Sequence, residues 1–209
     1  MNFECWQSIY TFIIERDKVL TDQQVVKTTS TENLTGAESS SNIKASMNTH
    51  SIAQDTTTLQ IFNQVLSALV ACQMSLSREL TEEQVYWIIM ALAIHSDEIA
   101  RNQRSGINPW DWPGLQEKHL NVKAGGSYFY ECIDQLIEKR IHFADALDVF
   151  YFSLNQGFVG QYHDDDQKKH EYLTLIEDNL DCVIRENPYA SVVKFKRVTS
   201  KRAQPDLRI

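Results

Sequence analysis

Two groups of residues have the types that could do chemistry. His95, Asp97 and Glu98 lie within four positions, with His95 and Glu98 at i and i+3, so one helical face could present an imidazole beside a carboxylate. His163-Asp164-Asp165-Asp166 with His170 is the second group. Oxygen-rich ligands with two histidines suit a divalent cation, and helical bundles do build metal sites from facing carboxylates and histidines. Together the groups would describe a metal-dependent helical hydrolase, but the second half of any such motif is missing. Asp164-Asp165-Asp166 more simply opens a helix, where aspartate accepts from free N–H groups and complements the dipole. No metal and no cofactor is expected.

Asp97 and Glu98 have plainer uses. Acids near a helix C-terminus oppose the macrodipole by about 0.3–1 kcal/mol when exposed. Asp97 could pair with Arg101 at i+4, for about 0.2–0.5 kcal/mol. It could instead accept from the N–H groups of a neighbouring loop, or both acids could meet a partner protein. Trp110 and Trp112 either pack their loop onto the body or anchor a partner. Asp97, Glu98, Trp110 and Trp112 are therefore the candidate contact residues. No G-x-S-x-G, Walker A or H-E-x-x-H pattern appears, so no catalytic residue is assigned and no enzyme is expected. Gly125-Gly126 reads as a turn before a helix rather than a phosphate cradle.

The elements that must position these residues are helical. Phe3, Trp6, Ile9, Tyr10 and Ile13 recur at helical spacing, which gives an N-terminal helix over 1–20 that packs on the body. Residues 21–58 hold a Ser/Thr-rich stretch with almost no large apolar side chains, expected to be a mobile loop. Residues 59–187 form the main helical domain. Within it Leu59–Leu76 is amphipathic, and Thr81 with Gln84 makes a capping box for a helix apolar all round, hence central. An irregular connection from Gly106 to Gly114 follows Arg101. Helical patterns resume at 126–140, 143–156 and 165–186. Gly157 is placed to end the second of these patterns in the left-handed conformation, and Gly160 to let the backbone pass close to another element. Phe158 and Tyr162 turn into the core beside them. The fold class is all-α, with about six to eight helices.

Net charge is −8, which disfavours nucleic acid as a partner. Residues 188–209 carry six cations against Asp206, a net of +5, leaving −13 for the rest. A basic tail on an acidic body suits a frayed terminus or an anionic surface. Cys5, Cys72, Cys132 and Cys182 form no C-x-x-C pair and read as reduced core thiols. No signal peptide and no uninterrupted apolar run of about 20 residues is expected.

In order along the chain stand Ala91-Leu92-Ala93-Ile94-His95-Ser96-Asp97-Glu98, the Trp110 and Trp112 loop, Leu120 through Gly126-Ser127-Tyr128-Phe129, and Tyr151 through Gly157-Phe158-Val159-Gly160-Gln161-Tyr162. Each piece alone is weak, but their order and spacing over about 59–187 resemble the TssL/DotU/IcmH family of bacterial secretion proteins, most of all its DotU members. The resemblance implies two small helical bundles on the cytoplasmic face of the inner membrane. It implies a non-enzymatic scaffold of a type VI-like secretion system that binds an IcmF/TssM-like inner-membrane protein and docks baseplate components, and it leaves a homodimer open. Two departures stand out. His163 follows Tyr162 where the family often has a basic residue, and the basic, polar 191–209 replaces the family's C-terminal anchor. Membrane contact would then come through the partner or through a removed anchor. A general helical adaptor unrelated to secretion is the other non-enzymatic reading.

Overall fold

A computed structural model describes residues 1–31, 43–102, 107–139 and 143–186, with side chains for 1–21, 57–102, 107–139 and 143–180. The described residues form seven α-helices and no strand: α1 (Phe3–Thr31), α2 (Ile43–Leu76), α3 (Glu82–Arg101), α4 (Leu115–Leu120), α5 (Gly125–Lys139), α6 (Ala144–Asn155) and α7 (Asp166–Glu186). The all-α expectation holds.

The middle of the fold is α3, for the reason its composition suggests. Every residue from Trp87 to Asp97 is buried, three turns without a solvent face. Its start is fixed by the capping box: Thr81 Oγ1 accepts from Gln84 N at 3.3 Å, and Gln84 Oε1 accepts from Thr81 N at 3.0 Å. On one flank α1 pairs with α2, and α2 meets α3. On the other, α5, α6 and α7 pack together and reach α3 through α5 and α6. The two expected bundles thus share α3, and one continuous core runs through Ile9, Phe12, Val65, Leu69, Ile88, Leu92, Phe129, Ile133 and Phe150. Trp6 and Tyr10 of α1 also meet Phe152 of α6, with ring centroids 6.1 and 5.9 Å apart.

Both N-terminal helices run further than expected. Residues 21–31 and 43–58, assigned above to a loop, are helical. The sequence has no proline before Pro109 and only Gly36 before Gly106, so nothing local ends a helix that a packed turn has nucleated. Each added polar residue then costs only a few tenths of a kcal/mol. Residues 32–42, Gly106 and the tail 188–209 lie outside the described residues.

Thr57–Leu76 is not an uninterrupted apolar run, since Gln60, Asn63, Gln64, Ser67, Gln73 and Ser75 break it, yet by length and composition alone it is apolar enough to cross a membrane, with a mean hydropathy of 1.3. Ile61, Phe62, Val65, Leu69, Cys72 and Leu76 are buried in the shared core, so much of this apolarity is used inside the fold. Cys5, Cys72 and Cys132 are buried free thiols, and burial pushes the last two up to about 12. The Cys182 side chain lies outside the described residues.

Candidate functional site

The last turn of α3 holds two neighbouring segments at once. Successive helical residues point about 100° apart, so the adjacent acids Asp97 and Glu98 cannot share a partner, and they do not. Asp97 is buried and accepts three hydrogen bonds: from Trp112 Nε1 at 2.7 Å, from Leu115 N at 2.6 Å and from Gln116 N at 2.9 Å. Leu115 and Gln116 open α4, whose own N-cap is Gly114, at φ +82° and with no side chain to offer. Asp97 therefore caps α4 from another helix. Glu98 is half-buried and points elsewhere, accepting from Val159 N at 2.9 Å and Gly160 N at 2.7 Å. Burial pushes both carboxyls up, while these donors, helped at Asp97 by the charge of Arg101, pull them down.

The turn that Glu98 grips is built by its glycines. Gly157, at φ +102°, ends α6: its N–H reaches Leu154 O at 3.2 Å, and Phe158 N reaches Ser153 O at 3.1 Å. This pair of bonds is the Schellman arrangement. Gly160, at φ +57°, has no room for a side chain, because a Cβ would stand 2.7 Å from Gly126 O and 2.9 Å from the Phe158 ring. Gly125 and Gly126 are part of the same fit. A Cβ on Gly125 would overlap the Gln116 side chain, and one on Gly126 would sit 3.4 Å from the Gly160 backbone. These two glycines thus serve close approach at the start of α5, rather than the turn expected from sequence.

Aromatic side chains fill the corner so formed. Phe158 lies on Phe129 with centroids 4.0 Å apart. Tyr162 meets Tyr130 at 4.6 Å, and Tyr130 donates its hydroxyl to Val159 O at 2.9 Å. Gly157, Phe158, Gly160 and Tyr162 thus form one packed corner between α6 and α7, tied to α3 by Glu98.

The four candidate contact residues divide. Asp97 and Trp112 face inward, and Trp112 also packs edge-on to Phe62 at 5.3 Å. As direct contacts for a partner these two are corrected: their polar groups are committed to each other, away from solvent. Glu98 is committed to the glycine turn. Trp110 is the opposite case, 92% exposed on a turn closed by Asp111 N to Asn108 O at 3.0 Å and Asn108 Nδ2 to Asp111 Oδ2 at 2.8 Å.

Among the described residues, the two groups with metal-binding residue types are not brought together. His95 is buried beside Phe158, and burial, with the charge of Arg16, holds its imidazole down at about 3. His163 and Asp164 are exposed and contact each other at 2.8 Å, while Asp165 caps α7 by accepting from Lys168 N at 2.9 Å. Among the described residues no three His, Cys, Asp or Glu side chains stand where they could hold a metal ion.

What local sequence rules missed is the reach of the two acids, over 18 and 61 residues to Leu115 and Val159. A usable signal was present. Asp97 and Glu98 are the only acids from Val85 to Arg101, and a charge at the end of a fully buried helix needs donors from somewhere.

Comparison with family models decides what this architecture belongs to: residues 44–207 match the model for the type VI secretion system protein DotU. The chain belongs to the DotU family. That family is one of secretion-system components and is not known for enzymes. No curated protein and no solved structure matched. The family match covers α2 to α7 and extends past the stretch on which the resemblance was read. The acid doublet and glycine corner that carried the resemblance are the joints of the DotU fold in this chain.

Proposed function

We propose that this DotU-family protein is a non-enzymatic scaffold at the cytoplasmic face of the bacterial inner membrane. It binds an IcmF/TssM-like membrane protein and docks baseplate components of a type VI secretion system. The family match carries the system, and Trp110 carries the contact. An indole left almost wholly in water offers a large apolar area at the cost of few rotamers, and aromatic anchors of this kind dominate binding energy at protein interfaces. The turn beneath it is already ordered by Asn108 and Asp111, and Trp112 two residues on is bonded to Asp97, so little entropy is left to lose on docking. In this reading Asp97 and Glu98 act through the segments they hold, and membrane contact comes through the partner or a C-terminal anchor.

The test is affinity purification from the native source with tagged wild type and Trp110→Ala, helicity being checked by circular dichroism. Wild type is expected to recover an IcmF/TssM-like protein and baseplate components, and the equally helical variant to recover far less. Failure of wild type to recover any secretion component would sink the scaffold. Equal recovery by both would remove Trp110 from the contact.

A further inference from the structure

The outward side of α1 takes no part in the acid doublet, the glycine corner or the Trp110 turn. The helix also lies ahead of the residues matched to the DotU model. Cys5, Ile9, Phe12, Ile13 and Leu20 face the core, but Phe3 and Ile14 are 70% and 66% exposed, and Tyr10 between them is 39% exposed. Trp6, Tyr10 and Phe152 of α6 continue this surface, their ring centroids within 6.1 Å of one another. Single apolar residues on a surface need no explanation, whereas a contiguous strip rimmed by polar residues marks a place that something covers. The strip begins at an acidic end of the molecule. Among the described residues, the charges that reach the buried Cys5 are Glu4, Glu79 and Asp145 against the Met1 amine alone, and Asp148 stands near Asp145. Asp145, Asp148 and Phe152 share one face of α6, at three- and four-residue spacing.

One stretch of the chain has the complementary chemistry. Between Asn187 and Pro205 there is no acid, and Val192, Val193, Phe195 and Val198 stand among Lys194, Lys196, Arg197, Lys201 and Arg202. We propose that residues 192–198 dock in cis on the outward face of α1, their apolar side chains on the Phe3–Ile14 strip and their cations at its acidic end. The fold delivers the stretch to that end. α6 runs alongside α1 in the same direction, with Asp145 beside Met1 and Phe152 beside Trp6 and Tyr10. α7 returns against α6, the Tyr151 hydroxyl meeting the Glu177 carboxylate. From Glu177 to Glu186 the helix rises about 14 Å, past the level of Asp145. The six residues from there to Val192 can span about 20 Å, enough to cross α6 and reach Phe3. Seven residues can then cover the roughly 17 Å that separate Phe3 from Ile14 along the helix. Opposite charges bring the two surfaces together, and the apolar contact holds them in register. While docked, the stretch is withheld from any other anionic surface.

Hydrogen exchange of the full chain, read by mass spectrometry on peptides covering 192–198, tests this beside Ile14→Lys, Phe195→Ser and Met74→Lys. Wild type is expected to be protected there at least about tenfold more than Ile14→Lys or Phe195→Ser, and about 0.5 M salt to remove part of the protection. Met74→Lys, on the exposed side of α2, should match wild type. Circular dichroism checks the helicity of Ile14→Lys, and Phe195→Ser decides the matter where that helicity is lost. Exchange of wild type at the rate of an unstructured peptide, or protection unchanged by Phe195→Ser, overturns the proposal. Protection that grows with protein concentration assigns the contact to a second copy and overturns it. Protection that needs phosphatidylcholine–phosphatidylglycerol vesicles assigns the stretch to lipid and overturns it equally. Recovery of partners through Trp110 is a separate readout, so either proposal can fail alone.

Discussion

Replacing Asp97 by Asn keeps the shape of the side chain and changes only its charge and one acceptor, which makes the consequence calculable. Oδ1 accepts from both Trp112 Nε1 and Leu115 N, so an asparagine places its carbonyl oxygen there. Its amide nitrogen then faces Gln116 N, donor against donor, where Oδ2 had accepted at 2.9 Å. One buried donor left without an acceptor costs about 1–3 kcal/mol, and the two remaining bonds each fall from the charge-assisted to the neutral range, about 1 kcal/mol apiece. Against this, a neutral side chain is easier to bury, the effect that pushes the native carboxyl up. The net expectation is a loss of about 2–3 kcal/mol, and for Asp97→Ala, which strands all three donors, about 4–6 kcal/mol. Urea unfolding followed by circular dichroism gives the total. Hydrogen exchange of the Trp112 indole and of the Leu115 and Gln116 amides places it, since these protons should lose protection before the amides of α3. Variants within about 0.5 kcal/mol of wild type, with unchanged indole exchange, would refute the cap on α4.

The remaining predictions concern the glycine corner and the buried histidine. Gly160→Ala should cost about 2–4 kcal/mol in urea unfolding, because its Cβ meets Gly126 O and the Phe158 ring at a positive φ. Gly157→Ala, with nothing within 4 Å of the new Cβ, should cost only the backbone term of about 1–2 kcal/mol; equal losses would show that steric contact is not what Gly160 avoids. His95, held at about 3 in the fold, takes a proton in the unfolded chain near 6.5. Stability therefore falls as pH drops below 6.5, by about 2 kcal/mol between pH 7.5 and pH 5. His95→Leu should remove that slope. The Asp148 carboxyl, pushed up to about 6 by burial, favours the fold at low pH and loses that contribution as pH rises, but it does so in both proteins and cancels in the difference. Identical pH profiles for wild type and variant would refute the assignment.

How much of this was legible depended on the range of the interaction. The Thr81–Gln84 box and the Gly157 terminus are local, settled within a few residues, and both stand where the spacing puts them. The wholly apolar run of α3 announced a central helix, because no arrangement leaves such a surface in water. For Asp97 the sequence offered both the i+4 partner Arg101 and the N–H groups of a neighbouring loop, and the second is what the fold uses; which segments supply the donors, Leu115 and Gln116 to Asp97 and Val159 and Gly160 to Glu98, is decided by the chain path. Trp110 and Trp112 differ only by the direction each faces, which the chain path decides and the residue type does not. The glycines at 125 and 126 looked like any turn, since their neighbour Gly160 lies 34 residues beyond Gly126.

The adjacency of Asp97 and Glu98 also constrains how this helix can change in length. Inserting one residue after Ala93 would turn both acids by about 100° and shift them about 1.5 Å along the axis, away from α4 and from the glycine turn together. Seven inserted residues would nearly restore the angle but carry both acids about 10 Å too far. No insertion satisfies rotation and translation at once. The last turns of α3 are thus fixed in phase, open to substitution one position at a time but closed to gain or loss of residues.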